Sequence, residues 1–193
     1  MPHSRKYDLF ALVLLACAAL PASAQEVPLD VGTVKAAVFT ETNAYRASKN
    51  LPRLQQNAAL EAAATAYAAY LAEHEKMGHT ADGSNPAKRV SAQGYKWCFI
   101  SENVWSSFRK PETTLSEELA RRAMDGWKKS PGHNANLLEK RAYEIGIGAA
   151  GWKQDGGTEI FRVAQVFAAK CSGKQRPEPS IGEMLAGVVD ALH

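Results

Sequence analysis

The stretch YEIGIGAAGWKQDGGTEIFRVAQVFA, Tyr143 to Ala168, decides the fold class. Tyr143–Ala150 and Glu159–Ala168 read as two strands, and Asp155-Gly156-Gly157 between them is turn chemistry, so the stretch predicts an antiparallel hairpin. Upstream, Trp97–Trp105 predicts a third strand, rich in aromatic and branched residues but interrupted by the polar Ser101-Glu102-Asn103. Burying a carboxylate is costly unless it is paired or hydrogen-bonded, so Glu102 requires a partner from elsewhere in the chain.

Helices surround these strands. Val34–Lys49 carries Val34, Ala37, Val38 and Tyr45 on helical spacing and is stopped by Asn50-Leu51-Pro52. Asn57 is placed to cap a second helix, Ala58–Lys76, with Leu60, Ala64, Tyr67 and Leu71 on one face. That helix is dominated by alanine, and such small side chains permit close packing. Residues 77–95 are mostly loop, with a short helical piece at Pro86–Gln93. Thr114–Lys129 predicts a further helix, opened by Ser116 with Glu117 and Glu118 behind it, burying Leu119, Ala123, Met124 and Trp127. The sum is an α+β domain with helices packed on a small antiparallel sheet.

The wider composition agrees. A chain of 193 residues, 46% hydrophobic and 22% charged without a charge block, suits one globular domain. Its 23 basic and 20 acidic residues leave a formal charge of +3 spread along the sequence, which argues against nucleic acid as a partner. Residues 1–24 read as a secretory signal peptide: Arg5 and Lys6, the apolar run Leu9–Leu20, then Ala22-Ser23-Ala24 as the cleavage site. The run is shorter than the roughly 20 residues a membrane span needs, so no transmembrane segment is expected. Leu14-Leu15-Ala16-Cys17 is a competing lipoprotein cleavage box. Residues 25–171 then form the domain, and 172–193 a linker followed by a short amphipathic helix, Ile181–Leu192. Export leaves Cys98 and Cys171 in an oxidising compartment, where a disulfide between them is predicted; two separate thiols are the alternative.

The candidate chemistry is distributed. His74-Glu75-Lys76-Met77-Gly78-His79 resembles a zinc-protease helix only superficially, since its histidines are five apart and diverge by roughly 140° on a helix. No nucleophile elbow, phosphate-binding glycine loop or Cys-x-x-Cys is present. His79, Glu102 and His133 remain. Two imidazoles and a carboxylate are ligand types for a divalent cation such as zinc, and His with Glu is also an acid/base pair. Read alone, each histidine fits a surface or hydrogen-bonded structural role better than a ligand role.

Taken together, several short pieces resemble the CAP superfamily: cysteine-rich secretory proteins, antigen 5 and plant pathogenesis-related proteins of class 1, here in a bacterial SCP-like form. They run, in family order, from Asn43-Ala44-Tyr45-Arg46 through Leu54 and Leu60, Gly78-His79, Asp82-Gly83, Pro86, Arg89 and Gly94 to Ser101-Glu102-Asn103-Val104. Trp127 to Leu138, WKKSPGHNANLL, resembles the bacterial W-x-x-S-P-G-H stretch, and Ile145-Gly146-Ile147-Gly148 with Ala164-Gln165-Val166-Phe167 the closing hairpin. The resemblance implies a three-layer α-β-α sandwich with a cleft, and a tetrad of two His and two Glu that binds a divalent cation in eukaryotic members. His79 and Glu102 match the first His and Glu; Ser130 and Arg162 stand where the second Glu and second His are expected. His133 then completes a reduced site, or its stretch is structural, with Ser130 and Asn136 stapling the loop that leaves the helix.

Two functions follow as expectations. One is a secreted or periplasmic binding module whose cleft takes a lipid, glycan or peptide beside a weak cation site. The other is a metal-assisted hydrolase of an exported peptide or cell-envelope polymer, with Glu102 as base. The missing tetrad members and the lack of a covalent nucleophile favour the module.

Overall fold

Asp30 opens the first helix, α1 (Val31–Ala47), by accepting hydrogen bonds from the Thr33 amide at 3.1 Å and hydroxyl at 2.6 Å. The helix therefore begins before Val34, where apolar spacing alone places it. The computed structural model describes residues 29–109, 115–154 and 157–171. Along them follow β1 (Gln55–Gln56), α2 (Ala58–Glu73), α3 (Pro86–Ala92), β2 (Trp97–Arg109), α4 (Ser116–Lys129), α5 (Pro131–Leu137), β3 (Glu144–Lys153) and β4 (Glu159–Lys170). The signal peptide, the Cys17 alternative, the Asp155-Gly156 part of the turn and the 172–193 tail lie outside the described residues. Among the described residues no helix is long and apolar enough to cross a membrane.

The sheet order is β1-β3-β4-β2, with β4 antiparallel to both β3 and β2. The expected antiparallel sheet is thus present, and the two-residue β1 adds a parallel edge against β3. A strand of two exposed glutamines carries no periodicity, which is why the sequence does not announce it. Helix α5 was hidden for a related reason: Pro131 at its first turn reads as a breaker after α4, yet it suits a helix start. Ser116 does not cap α4. It lies buried inside the helix, and its hydroxyl accepts the Asp30 amide at 3.0 Å, joining α4 to the start of α1.

Two cores flank the sheet, giving the three layers. On one face α2 and α3 pack Leu60, Ala64, Tyr67, Ala68, Leu71 and Val90 against Val104, Ala164, Val166 and Ala168. On the other, α1, α4 and α5 bring Val34, Val38, Met124, Trp127 and Leu137 onto Ile145, Ile147, Phe161 and Phe167. Gly146 and Gly148 explain the first face. A Cβ at either would lie 2.1 or 2.2 Å from the backbone of α2 at Leu60 or Ala64, so helix and strand meet backbone to backbone. The edge strand β2 is tied to the second face: the Trp127 indole donates to the Val104 carbonyl at 3.2 Å, and the Asn136 amide to the Glu102 carbonyl at 3.1 Å. Cys98 falls at a register shift between Trp97 and Phe99 and is bonded to Cys171, closing the end of β2 onto the end of β4.

Candidate functional site

Glu102 receives its partners from α3 and from the loop between α2 and α3. Asn85 caps α3 by accepting the Lys88 amide at 2.9 Å, with Pro86 in the first turn, and this sets Arg89 facing β2. One guanidinium nitrogen, Nη2, donates to Glu102 Oε2 at 2.9 Å and to Oε1 at 3.2 Å, and also to the His79 carbonyl at 3.0 Å. The other, Nη1, donates to Asp82 Oδ1 at 2.9 Å. The Arg89 guanidinium lies over the Tyr67 ring, 3.4 Å from its centroid, so the cation is held between an aromatic face and two carboxylates.

Tyr67 also fixes the loop that carries His79. Its hydroxyl donates to the Gly78 carbonyl and accepts the Ala81 amide, while Tyr70 donates to the Ala81 carbonyl at 3.2 Å. So held, His79 places Nδ1 2.9 Å from Glu102 Oε1. The two ends of this contact differ in exposure: the Glu102 side chain is 1% exposed and that of His79 48%. The hydrogen bond to Glu102 raises the His79 pKa above the ordinary imidazole value, against a smaller opposing effect of burial. With Nδ1 engaged by the carboxylate, Nε2 is the nitrogen left for a ligand or proton.

His133 stands in α5, half-buried. Its pKa is lowered, first by burial and then by the charge of His79, so the two rings share a local field. Its backbone carbonyl accepts the Asn103 side-chain amide at 3.2 Å. Asn136 donates to Asn103 Oδ1 at 2.9 Å, and Asn103 in turn donates to Gln165 at 3.3 Å. Asn136 therefore staples α5 to β2 rather than pinning the loop after α4. Ser130 makes no side-chain cap bond; it acts through its backbone carbonyl, which accepts the Asn134 amide at 2.8 Å.

The structure thus joins His79 to Glu102 directly and sets His133 in their electrostatic neighbourhood. Among the described residues no group of three or more His, Cys, Asp or Glu side chains is placed to hold a metal ion. Arg162 is buried and spent on structure. Its Nε donates to the Lys76 carbonyl at 3.1 Å, and Nη1 to Ser106 at 2.5 Å and the Phe161 carbonyl at 3.2 Å, clamping the chain that leaves α2 onto the sheet. Arg89, Asp82 and Tyr67 belong to the site, though sequence reasoning did not single them out as functional. The signal was the demand of Glu102 for a cation, which Arg89 meets from thirteen residues away.

With this arrangement in view, residues 39–167 match the cysteine-rich secretory protein family, CAP. The chain belongs to the CAP family. Solved CAP-type structures share the fold: an outer surface protein of Borrelia burgdorferi at 22% identity, covering 76% of this chain and 99% of that one, has a TM-score of 0.59. An extracellular SCP-domain protein of Bacillus anthracis gives 20% identity, 72% and 41% coverage and 0.56. A cysteine-rich secretory protein of Staphylococcus aureus gives 18%, 74% and 40% coverage and 0.52. This chain therefore spans about two fifths of the last two proteins. Comparison with curated proteins finds no match.

Proposed function

We propose that this CAP domain is an exported, non-enzymatic binding module, whose cleft at the His79–Glu102 pair takes a lipid, glycan or peptide and holds a divalent cation weakly. The engagement of Glu102 carries this reading. Its Oε1 is taken by His79 and Arg89 and its Oε2 by Arg89, so the carboxylate orients the imidazole and is poorly placed to activate water. For a cation such as zinc the donors are His79 through Nε2 and His133, with Glu102 behind His79. Two ring nitrogens are fewer than the three protein ligands of a catalytic zinc site, which fits weak binding. A cation there would offer a Lewis-acid contact to a ligand oxygen. Arg162 and Ser130, at the remaining tetrad positions, supply neither imidazole nor carboxylate.

The second reading is a metal-assisted hydrolase. The His79–Glu102 contact favours it, because an acid/base pair uses the same geometry. Calorimetry with zinc and turnover of a peptide and glycan library separate the two. The module reading expects zinc binding that His79→Gln weakens about tenfold or more and no turnover by the unmodified protein. Turnover that Glu102→Gln abolishes would replace the module with the hydrolase. No zinc binding between about pH 6 and 8 would remove the cation and leave the cleft.

A further inference from the structure

A cavity of about 560 Å³ opens where the start of α2, the turn before β2 and the end of β4 meet, lined among others by Asn57, Gly94, Tyr95, Lys96 and Lys170. None of these belongs to the His79 cluster. We propose that this pocket binds a ligand carrying one oxyanion, a carboxylate or a phosphate, of the size of an anionic sugar.

The charge arrangement carries the assignment. Glu144 on β3, beside the pocket, is fully engaged: Oε1 accepts from Asn57 Nδ2 at 2.8 Å and pairs with Lys170 Nζ at 3.4 Å, and Oε2 accepts the Tyr95 hydroxyl at 2.5 Å. Burial, with the neighbouring Glu144 carboxylate, pushes the Tyr95 pKa strongly upward, which keeps that hydroxyl a donor to Glu144. Asn57 is committed on both sides, since its oxygen accepts the Ala59 and Leu60 amides. The Glu144 carboxylate and the Asn57 side-chain oxygen are therefore spent on the protein itself. What faces the mouth is cationic: Lys96 is exposed, and the Lys170 side chain is 52% exposed. Two ammonium groups against one neutralised carboxylate leave one positive charge in excess. The positive end of the sixteen-residue α2 dipole points to the same place. A cation or amine would meet repulsion there; an oxyanion would pair with the lysine ammonium groups. The volume lies within the range of small-molecule sites.

The test titrates the full, nitrogen-15-labelled protein with glucuronate, glucose 6-phosphate and glucose while amide shifts are followed. Saturating shifts at Gly94, Lys96 and Lys170 with at least one anionic sugar are expected, with glucose leaving them in place and the His79 amide unmoved. Which anion saturates tells carboxylate from phosphate. Lys96→Gln, at an exposed position, should weaken binding about threefold or more, and Lys96→Arg should restore it. Any one of three results overturns the proposal: no saturation by either anion at roughly 50 mM, far above typical ligand-site affinities, an equal response to glucose, or unchanged affinity in Lys96→Gln.

Discussion

The two faces of the sheet solve the same burial problem in opposite ways. Facing α2, the strands present glycine, alanine and valine, and of the charged groups they bury, Arg162 is spent on the Lys76 carbonyl while Glu102 is linked to a half-exposed histidine. Facing α1, α4 and α5, they present aromatic and branched side chains and a neutral chain of hydrogen bonds through Asn103, Asn136, Gln165 and Thr42, ending with Gln165 donating to Thr42 at 2.7 Å, while the buried Arg46 of α1 donates to the Pro52, Leu137 and Glu139 carbonyls. Glu102 and Asn103 are neighbours on β2, so one peptide bond separates the two regimes. A neutral, saturated network specifies a packing. A buried charge whose partner reaches solvent is the arrangement that can meet a ligand.

The largest effect should come from breaking the bare face. In Gly148→Val, the new Cβ would lie 2.2 Å from the backbone of Ala64, which no rotamer relieves. We expect a loss of about 4 kcal/mol or more, read by chemical denaturation, because α2 must lift from the sheet. The same substitution at Gly132, where a Cβ would meet nothing within 4 Å, should cost a small fraction of that. Equal losses would show that contact with α2 is not what fixes Gly148.

The same exchange made in opposite directions at adjacent residues sharpens the comparison. Asn103→Asp removes the donor to the His133 carbonyl and to Gln165 and sets a charge among acceptors. It should cost about 3 kcal/mol at neutral pH and recover part of this on acidification, as the new carboxylate protonates. Glu102→Gln removes a charge where Arg89 keeps Asp82, and should cost only about 1–2 kcal/mol. It should nonetheless weaken binding at His79, while Asn103→Asp acts on stability. If Glu102→Gln proves the more destabilising of the two, the charged cluster is holding the fold together rather than serving a site.

Much of this was legible in the chain. The hairpin, the capped alanine helix and the demand of Glu102 for a partner are local or single-residue signals, and they point to the right elements and to the right strand. What was not legible is the identity of that partner. Arg89 sits on a seven-residue helix whose loop is positioned by Tyr67, and nothing in the spacing of Tyr67, His79, Arg89 and Glu102 says that they converge. The family resemblance supplied His79 and Glu102 as a pair but named Arg89 only as a matching piece. Arg162 illustrates the limit from the other side: a substituted site residue gives no hint in sequence that it has been put to work as a clamp on the Lys76 carbonyl.

The smallest effect is electrostatic and tests whether the two histidines share one field. Contact with Glu102 raises the His79 pKa, so its stabilising contribution is complete below the unfolded value of about 6.5 and is lost as pH rises through the folded value. Burial and the charge of His79 lower the His133 pKa; its neutral form is favoured in the fold, and stability falls as pH drops from about 6.5 toward its folded value. Together the pair should place a shallow stability maximum near pH 6.5 in chelator-treated protein. Replacing His79 with Gln removes the upper limb of that profile. It should also move the His133 titration, followed by imidazole proton shifts, upward toward the unperturbed value, because one of the two causes of its depression is gone. A His133 titration that stays where it was would mean that burial alone sets it.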